Sequence, residues 1–70
     1  MDAQRYIVTV NYELVANDGS GSEGEKTRTG TLWATSPDDA RARMEVWAKL
    51  EFRRVGFKVV AHATDAKLAP

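Results

Sequence analysis

From Arg5 to Leu14 the chain alternates, with Tyr6, Val8, Val10, Tyr12 and Leu14 on one side and Thr9, Asn11 and Glu13 on the other. A period of two residues marks a strand with one buried and one wet face. A second strand is expected from about Lys26 to Thr35, where threonines accompany Leu32 and Trp33 in a composition suited to a pleated surface. Between them, residues 17 to 25 mix glycine with polar side chains and read as the flexible tip of a hairpin spanning residues 5 to 35. If Leu32 and Ala34 join Tyr6, Val8 and Val10 in the core, then Thr31 and Trp33 lie on the opposite face. A register shifted by one residue turns Trp33 inward instead.

The pattern then changes to a helical period. Ser36 can cap, Pro37 fits the first helical position, and Asp39 stands three residues after the cap, where its carboxylate can reach back to the cap amide. Ala40, Met44, Trp47 and Ala48 are expected to pack on the sheet, with Arg41, Glu45 and Lys49 along the outer side. Glu51 falls in line with the apolar stripe, which predicts a bend, fray or rotation there. The helix is expected over residues 37 to about 55, with Gly56 as its stop.

Phe57, Val59, Ala61 and Ala63 alternate with Lys58, Val60, His62 and Thr64, giving a third strand over about 57 to 65 and a loose tail from 66 to 70. The order is β, β, α, β. A hairpin followed by a crossover helix returns the third strand most simply beside the first. The expected fold is therefore a single α+β domain over residues 1 to 70. Its three-stranded antiparallel sheet has spatial order 2-1-3, with one helix on one face and the other face uncovered.

Seventy residues without cysteine leave no disulfide, cysteine-rich zinc site or thiol chemistry. Stability must come from the helix on the sheet, or from pairing with another copy or a partner. Lysine plus arginine and aspartate plus glutamate each number 10, so no global field draws the chain to nucleic acid or an anionic membrane. No apolar run approaches the roughly 20 residues of a bilayer span. These features predict a cytoplasmic protein without a membrane partner.

Reactive constellations are not evident. The sole histidine, His62, falls on the uncovered face with no serine or cysteine beside it, which favours a solvated or interface role over catalysis. Asp38 and Asp39 are explained by capping, and Glu23 and Glu25 lie in the tip. The glycine-rich tip lacks both the lysine spacing and the following helix of a phosphate loop. The spacing of Asn17, Asp18 and Glu23 does not match a calcium loop. No enzyme activity, cofactor or metal is expected.

Two surfaces could bind. On the uncovered face Ile7, Thr9, Thr31, Trp33, Val60 and His62 should gather into a contact patch with an aromatic anchor. That face or an edge strand could also mediate a homodimer. Arg41, Arg43, Lys49, Arg53, Arg54 and Lys58 form a basic cluster between the helix and the third strand, interleaved with Glu45 and Glu51. A solvated helix face is the simpler reading of that cluster, and phosphate binding is the sharper one.

The arrangement resembles several small phage and mobile-element proteins, including some anti-CRISPR proteins, in which a Tyr-Ile-Val hairpin strand leads through a segment such as Ala34 to Ala40 into one helix. Similarity of this kind covers most of the chain and implies an inhibitor that occludes a surface of a larger protein or nucleoprotein complex. The expected function is thus a non-enzymatic protein-binding module anchored on Trp33, with Arg53 and Arg54 adding charged contacts at the rim. The alternative is a small nucleic-acid-binding or regulatory domain that sets those arginines on phosphates.

Overall fold

Tyr6, Val8, Val10 and Leu14 are all buried, as their alternation requires, in a computed structural model that describes residues 2–70. The elements are β1 (Gln4–Ala16), β2 (Lys26–Ala34), α1 (Pro37–Glu51) and β3 (Phe57–Leu68). The three strands form one antiparallel sheet in the order β2-β1-β3, and α1 covers one face, an α+β architecture of ββαβ order. Tyr6 pairs with Leu32 and Val8 with Gly30, which puts Leu32 and Ala34 on the helix side and Trp33 on the other.

Ala40, Met44 and Ala48 of α1 close the core against the sheet. Val8 and Val10 are fully buried, and each contributes about 1.5–3 kcal/mol relative to exposure. Among the described residues, four of the ten buried hydrophobic ones are alanine (Ala34, Ala40, Ala48 and Ala63), so the apolar volume inside is small.

The start of α1 follows from its side chains. Ser36 is extended, with φ −159° and ψ 164°, and its hydroxyl accepts the Asp39 N–H at 3.0 Å. The Asp39 carboxylate reaches back one residue further than expected, accepting the Thr35 N–H at 3.0 Å, and it also pairs with the Arg43 guanidinium at 2.9 Å. The Thr35 N–H first, and then Arg43, hold the Asp39 carboxyl below the usual aspartate range.

The helix ends at Glu51, not near residue 55. Phe52 caps it by donating its N–H to the Ala48 carbonyl at 3.0 Å, and its ring turns to stack on Tyr12. Gly56 is consequently not the helix stop. At φ 87° it shapes a separate tight turn, in which the Phe57 N–H donates to the Arg54 carbonyl, and this turn leads into β3.

The end of the chain is likewise not a loose tail from residue 66. The pairing of β1 with β3 shifts between Thr9 and Val10, so that Thr9 faces Asp65 while Val10 faces Ala63. Thr64 is the extra residue of this bulge. Beyond it the inward positions move from odd to even numbers, Ala66 lies opposite Val8, and Leu68 lies opposite Tyr6. Ala69 still donates its N–H to the Arg5 carbonyl at 2.9 Å.

The hairpin tip is held by several bonds. Asn17 donates its N–H to the Gly56 carbonyl at 2.9 Å, Val15 bridges to Ser22, and the Glu23 carboxylate receives the Arg54 guanidinium at 2.6 Å.

Candidate functional site

Among the described residues, no element covers the sheet face opposite α1. It is built from the odd-numbered residues of β1 and β2 and the outward positions of β3, and Thr27, Thr29, Thr31, Trp33, Lys58, Val60 and His62 are all exposed there. Trp33 is 64% exposed, which settles its register away from the core.

The expected patch is divided, however. Trp33 lies opposite Arg5 and Thr31 opposite Ile7, so these four adjoin at one end. His62 lies opposite Asn11 and Val60 opposite Glu13. At about 3.4 Å per residue in an antiparallel sheet, the eight residue steps from Arg5 to Glu13 set Val60 about 27 Å along the sheet from Trp33. The middle of the face is polar: the Thr9 and Thr29 hydroxyls lie 3.3 Å apart, and Thr27 donates to the Asn11 side chain at 2.9 Å. Face parity is readable from alternation, but position along the face depends on inter-strand register, and the separation of Val60 and His62 from Trp33 follows from that register.

Arg53 and Arg54 do not rim the Trp33 anchor either. They follow the far end of α1, next to the turn into β3, in a molecule 43 Å long. Arg54 is engaged with Glu23, and its guanidinium lies over the Phe57 ring at 4.1 Å from the centroid. Arg41 pairs with Asp38 and Arg43 with Asp39, so three of the six basic residues in the expected cluster already face carboxylates. That arrangement weakens the electrostatic case for phosphate binding.

Glu45 was expected on the outer side of the helix. Instead it faces β3: its carboxylate accepts the Ala63 N–H at 2.8 Å and stands 3.9 Å from His62 Nδ1. The histidine therefore sits beside a helix carboxylate at a strand edge. Among the described residues, no group of three or more histidine, aspartate or glutamate side chains converges as metal ligands would.

The Trp33 end carries more apolar surface than the sequence suggested. A shallow hollow of about 430 Å³ is lined by Gln4, Arg5, Trp33, Leu68 and Pro70, with Leu68 58% exposed. A second cleft, of about 330 Å³, opens between β2 and α1 and is lined by Gly30, Leu32, Trp33, Met44 and Trp47. Trp47, expected to pack on the sheet, is 40% exposed because α1 lies over β3 and β1 more than over β2. Val46 and Leu50 continue this exposed stripe one turn apart. The i, i+3, i+4, i+7 spacing of Arg43, Val46, Trp47 and Leu50 was the signal for a second helix face.

Among the described residues, no helix is long and apolar enough to cross a membrane. Comparison with protein-family models, with curated proteins and with solved structures gave no match for this chain.

Proposed function

We propose that the chain is a non-enzymatic protein-binding module that docks through the Trp33 end of its uncovered sheet face. The observation that carries this reading is an exposed tryptophan on a sheet strand, adjoined by Arg5, Ile7 and Thr31 and bordered by the hollow that Leu68 helps to line. Tryptophan and arginine are among the side chains that most often dominate binding energy at interfaces, tryptophan because it buries a large rigid area at low entropic cost and arginine because its planar guanidinium offers several donors. A small platform of this kind acts by covering. The form of the activity we favour is an inhibitor, of the kind phage-encoded proteins supply, that occludes a surface of a larger protein or nucleoprotein complex in the cytoplasm.

The test compares the wild-type chain with Trp33→Ala as bait in a host lysate, with circular dichroism confirming that both are folded. Support is a protein retained by the wild type, lost with Trp33→Ala and little affected by raised salt. Equal capture by the folded variant removes the anchor. Capture that vanishes on nuclease treatment and falls steeply with salt replaces this reading with nucleic-acid binding.

A further inference from the structure

The two edges of the sheet are finished differently. On β3, the outward Ala63 N–H is taken by Glu45, a bulge interrupts the strand at Thr64, and Lys58, Asp65 and Lys67 add charge. These are the devices by which proteins prevent edge-to-edge pairing. The β2 edge has none of them beyond Lys26 and Arg28 at its start, and residues 29 to 34 are uncharged and free of proline.

The direction of its backbone groups follows from β1. Arg5 presents its carbonyl to Ala69, so the odd-numbered residues of β1 bond to β3 and the even-numbered ones to β2. The β2 partners of those even residues, Gly30, Leu32 and Ala34 among them, point inward. Thr27, Thr29, Thr31 and Trp33 therefore direct their N–H and C=O groups outward. Among the described residues, no other part of the chain bonds to these outward amides.

We infer that β2 pairs antiparallel with β2 of a second copy about a two-fold axis at Gly30, extending the sheet to six strands. The chain itself selects this occupant. In that register Thr29 faces Thr31 of the second copy and Thr27 faces its Trp33, and each pair exchanges two backbone hydrogen bonds. Arg28 faces Leu32 and Lys26 faces Ala34, so no like charges are opposed. The two β2–α1 clefts, floored by Gly30 and Leu32 and walled by Met44 and Trp47, meet across the axis. Surface area agrees: a 7.8 kDa monomer exposes roughly 4,400 Å², whereas this chain exposes 4739 Å² over a core rich in alanine. Pairing uses the outward backbone groups of the β2 edge, whereas partner binding at the open face uses side chains, with Thr31 and Trp33 common to both.

Sedimentation or light scattering across a concentration series tests it directly. The wild type is expected at twice the 7.8 kDa chain mass. Thr31→Pro, which deletes an outward N–H that β1 does not use, and Thr29→Lys, which sets two ammonium groups diagonally across the axis, are expected at the single mass with unchanged circular dichroism. Because the chain has no cysteine, Gly30→Cys can form a disulfide only between copies, and on oxidation it should crosslink far faster than Asp65→Cys on β3. A wild type that stays monomeric into the millimolar range overturns the pairing and leaves the edge to a foreign strand. A folded edge variant that keeps the double mass, or Gly30→Cys crosslinking no faster than the β3 control, overturns it equally.

Discussion

The Phe52 ring stacks on Tyr12 with centroids 4.1 Å apart and planes within 1°, and Trp47 meets the same phenylalanine edge-on at 5.5 Å. This contact ties the residue that caps α1 to β1, and the Arg28 guanidinium lies 5.4 Å from the same ring. Phe52→Ala should destabilise the fold by about 2 kcal/mol, less than a fully buried phenylalanine would cost because Phe52 is only half-buried. In thermal unfolding this corresponds to a fall in midpoint of roughly 10 °C.

Glu45 satisfies a strand amide from the helix, so its loss leaves the Ala63 N–H to solvent. Glu45→Ala is expected to cost about 1–2 kcal/mol, because a hydrogen bond to a charged acceptor is worth more than a neutral one. Glu45→Gln, which keeps a carbonyl acceptor, should cost less. Amide exchange at Ala63 should accelerate in the alanine variant while exchange at Val8 follows only the change in global stability.

The depressed Asp39 carboxyl gives a signed pH effect. Its folded-state pKa lies below its unfolded value, so its contribution is complete above about pH 4 and is lost as pH falls through the folded-state pKa. Denaturation midpoints measured from pH 6 downward should fall for the wild type in this acid window, and Asp39→Asn should be less stable at pH 6 yet flatter with pH.

Arg54 joins the hairpin tip to the turn before β3 through Glu23 and Phe57. Arg54→Ala should cost about 0.5–1 kcal/mol, the scale of an exposed ion pair with a ring contact. The change should concentrate locally, seen as lower heteronuclear NOE values for residues 18 to 24 and unchanged values in β1.

Much of the fold was legible because one-sided burial leaves a periodic trace. Tyr6, Val8 and Val10 announced their face, Leu32 and Ala34 aligned with them, and Ser36, Pro37 and Asp39 marked the helix start. The misplaced features were those set by tertiary contact. Alternation cannot foresee the extra residue at Thr64, so Asp65 looked like the end of a pattern that resumes at Ala66. Phe52 continues a helical spacing, yet stacking on Tyr12 draws it out of the helix. Glu45 has the same spacing from Arg41 and Lys49 as any solvent-facing ion pair, and only the proximity of β3 gives it an amide to bind. Within the candidate site, the face and exposure of Trp33 were readable, whereas the distance of Val60, His62, Arg53 and Arg54 from it depended on strand register and chain length between elements.

The bulge and carboxylate on β3 limit the size of any assembly built by strand addition. If two copies join at β2, both receptive margins are consumed at once, and what remains at each extremity is the interrupted strand that Glu45 occupies. Growth then stops at a closed pair, and a small chain can use β-pairing to gain interior volume without becoming the seed of a fibre.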